Sequence, residues 1–338
     1  MGKPLNLIRG VNMKRIDDLK NVKTAAIGGH MRPDGDCVCS CLALYHYLKK
    51  ELPGARVDVY LEELPAPFHV LEGIEDIKSE FNTDETYDVF FALDCNDERL
   101  GDALPVFRRA KRRVNIDHHI SNTGCGDVNI IETEKSSTAE LLYELMEPEL
   151  VDEAIAKAVY VGIAHDTGVF RYSNTSPRTM QIAAELLKFG FDFSKLIEET
   201  FYEKTYFQTQ IMGRAILGSV RFMDDRCIVS MVSRRMMEFY CVGPKDLDGI
   251  VNYLQGVKGV DCAIFMYETG TLEYKVSMRS NGSVNVAEVA VKFGGGGHVR
   301  AAGCTMNGTY HDNINNLSRE IAAQLGWEST RRTSKTQQ

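Results

Sequence analysis

The sequence predicts an α/β fold, with a mostly parallel sheet flanked by helices in the N-terminal part, a smaller α/β domain after it, and a cleft between the two. Strand and helix patterns alternate through the first 190 residues, as they do in proteins built on parallel sheets. Val89 to Leu93 is a run of five apolar residues, which is typical of a strand buried on both faces. A length of 338 residues agrees with about two domains.

The spacing of apolar residues places the elements of the first part in order. Strands are predicted at residues 23–27, 56–61, 87–93, 114–116 and 128–131. Helices are predicted at residues 37–50, 138–146, 152–163 and 177–189.

The pattern changes after Gly190, where residues 193–217 indicate one or two helices with mixed polar faces. Further strands are predicted at residues 227–232, 262–267 and 272–278, and further helices at 244–254, 286–293 and 313–325. The tail is polar and lacks apolar periodicity, so we expect it to be disordered. The predicted segments are a first domain at 1–190, a helical linker at 191–218, a second domain at 219–327 and the tail at 328–338.

The net charge excludes one broad class of function. Lys and Arg number 39 and Asp and Glu number 47, which gives a formal charge of −8. Coating or tracking long nucleic acids needs an excess of basic residues, so we expect no binding to long duplexes. A small phosphorylated substrate, held by a few Arg residues or by metal ions, remains compatible with this charge.

The apolar runs are far shorter than the roughly 18–20 residues of a membrane span. Residues 1–20 are polar and lack the apolar core of a signal peptide, so we expect no membrane association. The nine cysteines are an odd number, and Cys37, Cys39 and Cys41 alternate without metal or redox spacing. We expect these three to be small packing residues in a cytoplasmic protein.

Five short segments stand out because each places Asp, His or both at the end of an apolar stretch. The first three follow predicted strands, and parallel sheets bind their ligands outside the carboxyl ends of the strands. The five segments span residues 30–36, 93–97, 115–119, 162–168 and 294–303.

Four of the five segments have a structural explanation when taken alone, whereas Asp117-His118-His119 is unusual and favours a functional role. Asp34-Gly35-Asp36 is compatible with a turn, Asp94 with a helix cap, and His165 next to Asp166 with a buried pair. The four glycines from Gly294 are compatible with a flexible hinge. Together, and in this order, the segments favour a metal site.

The residue types indicate the chemistry of that site. Carboxylate oxygens and imidazole nitrogens suit Mn, Co, Fe or Zn better than the metals that prefer thiolates. The acids outnumber what one ion needs, and clustered carboxylates repel each other without cations. Two divalent ions about 3.5–4 Å apart would form the clamp that is used for in-line displacement at phosphorus by water.

These motifs resemble those of the DHH phosphoesterases, named for the triplet that stands here as Asp117-His118-His119. The likeness covers nearly the whole chain and is greatest to the branch of nanoRNases and pAp phosphatases. It rests on the His-x-x-Pro-Asp-Gly-Asp form of residues 30–36, on residues 166–175, and on the glycine-rich segment 294–303, which is similar to the signature of the C-terminal DHH-associated domain.

The resemblance implies a role for each matching residue. His30 and Asp34 would hold the first metal ion, and Asp94 would bridge it to the second. The second ion would be held by Asp36, His118 and Asp166. His119 would contact the scissile phosphate and act as a general acid, with Asp117 orienting a histidine. The expected substrate-binding residues are Arg279, Gly295, Gly296, Gly297, His298, Arg171 and Arg300.

The resemblance also implies substrates and cofactors. The cofactors would be two divalent ions, Mn²⁺ first, with Mg²⁺, Co²⁺ or Fe²⁺ as alternatives. The partners would be short RNAs, linear dinucleotides such as pApA, and pAp. A RecJ-like exonuclease, a pyrophosphatase and a non-catalytic nucleotide sensor are the competing hypotheses. The oligomeric state stays open, with a homodimer among the alternatives.

Overall fold

The computed structural model describes residues 19–62, 64–81 and 84–327. It divides into unit 1, which ends at Glu203, and unit 2, which begins at Lys204. The predicted linker at 191–218 spans this division. The predicted disordered tail, and most of the N-terminal segment considered for a signal peptide, lie outside the described residues.

Unit 1 contains a six-stranded sheet in which all neighbouring strands are parallel. Its strands are β1 (Thr24–Gly28), β2 (Arg56–Tyr60), β3 (Ile77–Lys78), β4 (Val89–Leu93), β5 (Arg113–Asp117) and β6 (Val128–Ile131). Their order is β3-β2-β1-β4-β5-β6, so the direction of strand addition reverses between β1 and β4. Ligands of such sheets bind in the crevice outside the carboxyl ends of the strands at this point.

Five of the six α-helices in the described part of unit 1 follow a residue whose side chain accepts a free backbone N–H group, and α2 is the exception. The Asp34 carboxylate accepts the N–H of Cys37 at 3.2 Å, and the Ser137 hydroxyl accepts that of Glu140 at 3.0 Å. The helices are α1 (Gly35–Glu51), α2 (Leu104–Arg109), α3 (Thr138–Leu145), α4 (Glu153–Asp166), α5 (Pro177–Leu186) and α6 (Phe193–Ile197). Short 3₁₀ turns include Ala66–Val70 and Asp97–Arg99, and a π turn spans Glu198–Tyr202.

Both faces of the parallel sheet are covered, as the apolar run of β4 predicts. Phe91 and Leu93 pack on the face that carries α1, α3 and α4. Phe90 and Ala92 pack on the opposite face, which includes Phe107 of α2. The three alternating cysteines of α1 are buried in the first of these cores, as predicted. The sheet is therefore rigidly held on both sides of the strand ends.

Unit 2 contains a six-stranded mixed sheet. Its strands are β7 (Val220–Phe222), β8 (Cys227–Val232), β9 (Cys262–Gly270), β10 (Glu273–Ser280), β11 (Gly296–His298) and β12 (Ala301–Asn307). They follow the order β11-β12-β10-β9-β8-β7, in which β8 and β9 are parallel and the other neighbours are antiparallel. The helices are α7 (Tyr206–Leu217), α8 (Arg234–Phe239), α9 (Ile250–Gln255), α10 (Val286–Lys292) and α11 (Tyr310–Leu325). α10 and α11 pack on one face of the sheet, and α7, α8 and α9 on the other.

The predicted α/β fold class is confirmed. The six-residue helices α2 and α8 and the strands β3, β7, β11 and β12 were not predicted. The predicted helical stretch 193–217 is α6, the π turn and α7, and the predicted helix 244–254 is a 3₁₀ turn at Pro244–Leu247 followed by α9. The interpretation of the glycine run as a flexible hinge is wrong, because β11 pairs with β12. None of the helices in the described part of the chain is long and apolar enough to span a membrane.

Candidate active site

Three strands of the parallel sheet end in histidine or aspartate residues at one edge. His30 lies two residues beyond β1, Asp94 directly follows β4, and Asp117 is the last residue of β5. The carboxyl ends of parallel strands meet at the same edge, so these side chains lie close together. They occupy the point where the strand order reverses.

Two helices bring further carboxylates to this edge. Asp34 caps the N-terminus of α1, Asp36 lies in the first turn of that helix, and α4 ends at Asp166. Unit 1 thus contains all the residues predicted as metal ligands, as general acid or as its orienting group. They are His30, Asp34, Asp36, Asp94, Asp117, His118, His119 and Asp166.

The first predicted ligand set surrounds the His30 ring. Its Nε2 atom lies 3.5 Å from Asp94 Oδ2 and 3.7 Å from Asp34 Oδ1. The other ring nitrogen, Nδ1, lies 3.0 Å from the carbonyl oxygen of Met31, which fixes the ring and leaves Nε2 toward the carboxylates. The Asp94 side chain is 2% exposed, whereas that of Asp34 is 65% exposed.

The second predicted set surrounds the His118 ring. Its Nε2 atom lies 3.3 Å from Asp166 Oδ2, 3.7 Å from Asp94 Oδ1 and 3.9 Å from Asp36 Oδ2. Its Nδ1 atom lies 3.3 Å from the carbonyl oxygen of Lys135. Asp94 belongs to both sets, with Oδ2 toward His30 and Oδ1 toward His118.

One buried atom of the second set indicates a metal ion. His118 Nε2 is shielded from solvent and makes no hydrogen bond to any residue that the structure describes. Buried polar atoms in proteins nearly always have a partner, and neutral imidazole is a common metal ligand. A cation between His118 and the three carboxylates would supply that partner.

The carboxylates of this edge carry unfavourable negative charge. Burial raises the pKa of Asp36 well above its usual value, and the charges of Asp94, Asp166 and Asp34 raise it further. Burial, followed by the charges of Asp94 and Asp34, raises the pKa of Asp166 to about 8. Divalent cations would remove this repulsion, so the donor set fits two such ions.

Asp117 holds the backbone and side chain of the histidine pair, and its carboxylate lies within 4.8 Å of ligand atoms of Asp94 and His118. Its Oδ1 atom lies 2.7 Å from His119 Nδ1 and accepts the backbone N–H groups of His118 and His119 at 2.7 and 3.0 Å. Its Oδ2 atom accepts a hydrogen bond from the Asn122 amide at 2.6 Å. Asp117 is therefore placed to orient His119.

The two neighbouring histidines have opposite pKa shifts. Burial lowers the pKa of His118, which favours the neutral imidazole that binds metal ions. The hydrogen bond with Asp117 raises the pKa of His119, which favours the protonated ring. The first histidine therefore suits a ligand, and the second suits a proton donor.

The predicted substrate-binding residues lie in unit 2, apart from Arg171. The Arg279 guanidinium donates to the Asn252 side-chain oxygen at 3.1 Å and to the Met278 carbonyl at 3.0 Å. His298 ends β11, and Arg300 lies in the turn before β12; both are exposed. Arg171 is an exposed residue in the turn after α4.

Gly295, which precedes β11, and the two glycines of β11 differ in the space that a side chain would find. A Cβ atom on Gly295 would lie 2.1 Å from the Gly303 carbonyl oxygen, and one on Gly297 would lie 2.5 Å from the Ala301 carbonyl oxygen. A Cβ atom on Gly296 would meet nothing within 4 Å. Close backbone packing thus explains why residues 295 and 297 are glycine. The backbone at Gly296 is open to its surroundings.

Comparison with known proteins identifies the family. The sequence family described as "DHH family, N-terminal domain" matches residues 24–163. The family described as "DHHA1 domain" matches residues 225–326. A Thermus thermophilus protein named "Bifunctional oligoribonuclease and PAP phosphatase NrnA" is 31% identical over 287 residues, which cover 83% of this chain and 84% of the relative. The chain belongs to the DHH family.

Two further relatives agree with this membership. A Bacillus subtilis protein with the same name is 25% identical, over 84% of this chain and 89% of its own. The crystal structure of an "exopolyphosphatase-related protein" from Bacteroides fragilis superimposes with a TM-score of 0.86 at 25% identity, covering 95% of this chain and 99% of that one.

Three residues next to the two ligand sets were not predicted from the sequence. Thr138 and Asn122 hydrogen-bond to aspartates of the site, and the Cys37 sulfur lies within 4.8 Å of ligand atoms of His30 and Asp94. Burial raises the pKa of the Cys37 thiol. Cys37 directly follows Asp36 in the first turn of α1, and this proximity was the available signal for it.

Proposed function

We propose that this chain is a two-metal phosphoesterase that hydrolyses short oligoribonucleotides, including pApA, to mononucleotides and removes the 3′-phosphate of pAp. The observation that carries the proposal is the double ligand set that shares Asp94, with 3.5 Å from Oδ2 to His30 and 3.7 Å from Oδ1 to His118. The names of the NrnA relatives, at 25–31% identity, support the choice of substrates.

In this proposal the residues predicted from the sequence hold two Mn²⁺ ions. His30, Asp34 and Asp94 would hold one ion, and Asp36, His118 and Asp166 would hold the other together with Asp94. When bound, such ions lower the pKa of a water and neutralise charge on phosphate oxygens. Four aspartates against two divalent ions leave this edge close to neutral, although the whole chain has a formal charge of −8.

His119 is the proposed general acid. Asp117 holds its Nδ1 atom at 2.7 Å, which leaves Nε2 as the nitrogen that can donate a proton to the leaving oxygen. The raised pKa of His119 favours the protonated form that this step needs. The proposed role of Asp117 is to orient this ring and to stabilise its charge.

Arg279 is the proposed phosphate-binding residue of unit 2, because a guanidinium fork matches phosphate oxygens. The open backbone of Gly296 and the exposed imidazole of His298 are proposed to contact substrate on the same unit. Since all nine cysteines fall within the described residues and are free, we also propose a cytoplasmic location.

The test is a substrate profile of the full chain with Mn²⁺. Metal-free protein and protein with Mn²⁺ are incubated with pApA, longer RNAs of increasing length, pAp and pyrophosphate. We expect Mn²⁺-dependent release of mononucleotides, with the highest kcat/KM for the shortest RNAs. Faster cleavage of the longest RNA would favour the RecJ-like hypothesis. Tight nucleotide binding without turnover would favour a sensor, and turnover of pyrophosphate alone would favour a pyrophosphatase.

A further inference from the structure

The first residue of α3 contacts two of the proposed metal ligands. Thr138 is fully buried. Its backbone N–H donates to Asp36 Oδ2 at 2.7 Å, and its hydroxyl donates to Asp94 Oδ1 at 2.9 Å. One residue therefore joins a ligand of the second proposed ion to the carboxylate that would bridge both.

The hydroxyl contact determines how the Asp94 carboxylate is turned. The terminal torsion of an aspartate is broad and roughly two-fold, so the side chain does not fix its own carboxylate plane. The Thr138 hydroxyl occupies one lone pair of Oδ1, while the same oxygen lies 3.7 Å from His118 Nε2 and Oδ2 lies 3.5 Å from His30 Nε2. Rotation of the carboxylate would break the hydrogen bond and misdirect both oxygens.

The backbone of the same turn holds Asp36. The N–H of Ala139 donates to Asp36 Oδ1 at 3.0 Å, which complements the bond from Thr138 to Oδ2. The Ser40 hydroxyl donates to Oδ1 at 3.2 Å. Ser137 caps α3, and the positive end of the helix dipole further favours a carboxylate here.

We propose that Thr138 is a positioning residue for the metal centre. Its hydroxyl sets the plane of the bridging Asp94, and its backbone helps to hold Asp36. The inference rests on the proposed function in that it concerns the two metal ions. The hydroxyl, unlike the backbone contact, can be removed by substitution, so its contribution is measurable by itself.

The test compares three variants of the full chain. Thr138→Val removes the donor and keeps the shape, Thr138→Ser keeps the donor, and Thr200→Val makes the same change elsewhere. Thr200 is a matched control because it is also buried in unit 1, where its hydroxyl donates to the Leu196 carbonyl at 2.7 Å. Binding of Mn²⁺ to the metal-free proteins is measured by calorimetry.

We expect Thr138→Val to weaken Mn²⁺ binding by about 10- to 100-fold at one or both sites, as is usual for groups that orient metal ligands. Thr138→Ser and Thr200→Val should stay within about threefold of the wild type, because neither removes a hydrogen bond to a metal ligand. In hydrolysis assays, Thr138→Val should lower kcat at limiting Mn²⁺, recover with excess Mn²⁺ and keep its KM for substrate.

Wild-type affinity in Thr138→Val would overturn the inference. So would an equal loss in Thr200→Val, or a failure of serine to retain the affinity. If valine prevents folding, Thr138→Ala replaces it, since alanine adds no methyl group at the crowded Oγ1 position, and the same outcomes apply. Mn²⁺ binding is measured without substrate. A wild type that binds Mn²⁺ but hydrolyses nothing would therefore contradict the proposed function alone.

Discussion

The two units of the chain hold their candidate residues in opposite ways. In unit 1 most of the acidic and histidine side chains of the candidate site are buried or half-buried and joined by hydrogen bonds, as with Asp117, which is fully buried and bonded to His119 and Asn122. Asp34, with a side chain that is 65% exposed, is the exception. In unit 2, His298 and Arg300 are exposed on the strand and turn that carry them. A pair of metal ions needs ligands held within fractions of an ångström, whereas contacts to a flexible phosphate chain tolerate motion. This difference agrees with the proposed roles, in which the buried cluster of unit 1 performs the chemistry and the exposed groups of unit 2 contact the substrate.

Loss of the shared carboxylate should have the largest effect. Asp94→Asn keeps the shape of the side chain and removes the charge that faces both His30 and His118. We expect kcat to fall by about a thousandfold, because a single lost electrostatic contact in an active site costs about 10²–10³. The measurement is steady-state hydrolysis of pApA with saturating Mn²⁺.

Asp58→Asn is the matched control for this variant. Asp58 is another buried aspartate of the same sheet, bonded to Lys78 at 2.7 Å and to Tyr87 at 2.5 Å. It should retain hydrolysis whatever its effect on stability. More than about a tenth of wild-type kcat in Asp94→Asn would contradict the shared-ligand role, since a tenfold loss is only about 1.4 kcal/mol of barrier.

Substitution of each of the two adjacent histidines should show which one transfers a proton and which one binds a metal ion. We expect His119→Gln to lower kcat by about a hundredfold, the low end for loss of a general acid, while Mn²⁺ affinity stays near that of the wild type. We expect His118→Gln to weaken Mn²⁺ binding, since it removes a proposed ligand. Calorimetry and kinetics on both variants make the comparison. Equal losses of Mn²⁺ affinity in the two variants would show that the histidines share one role.

Loss of Arg279, the proposed phosphate-binding residue of unit 2, should have a smaller effect, and this effect should fall on KM. We expect Arg279→Ala to raise KM by about tenfold or more and to leave Mn²⁺ affinity unchanged, because it removes charge-assisted hydrogen bonds to phosphate. Arg221→Ala is the control, as Arg221 is exposed on β7 and pairs with Asp225 at 3.2 Å. An unchanged KM for pApA in Arg279→Ala would count against the phosphate contact.

The smallest effects are expected for alanine substitutions of the two glycines of β11, and they concern the stability of the fold and not the rate of hydrolysis. Gly297 has φ +142° and a backbone oxygen 2.5 Å from the site of a Cβ atom, so Gly297→Ala should lower the free energy of unfolding by about 1–3 kcal/mol. Gly296→Ala meets open space and should change it by less than about 0.5 kcal/mol. Urea denaturation of the full chain measures both. Equal destabilisation by the two substitutions would contradict the strand packing.

The sequence predicts the parallel sheet far better than the details that hold the site together. Five of its six strands are predicted to within two residues at each end, because apolar runs between helices have a clear period. The two-residue strand β3 and the glycine strand β11 have no such period and are missed. The ligand motifs are recognisable because each is a local cluster of chemically distinctive residues.

The contacts that position those ligands are not local. Thr138 bonds to an aspartate 102 residues before it and to another 44 residues before it. Asn122 lies only five residues after Asp117, its partner at 2.6 Å, but the same amide also donates to the Cys95 carbonyl, 27 residues before it, at 3.1 Å. Pairings of this kind are set by the tertiary fold, so patterns within the sequence do not indicate them.

The backbone at Asp94 restricts how this site can change through mutation. Asp94 has φ +59°, in the left-handed region that aspartate and asparagine tolerate better than other side chains with a Cβ atom. Glutamate would keep the charge and lose the fit to this backbone, whereas asparagine would keep the fit and lose the charge. The conformationally easy replacement is thus the one that removes hydrolysis. A single codon change could leave an intact fold that still recognises nucleotides, turning a hydrolase into a binding protein in one step.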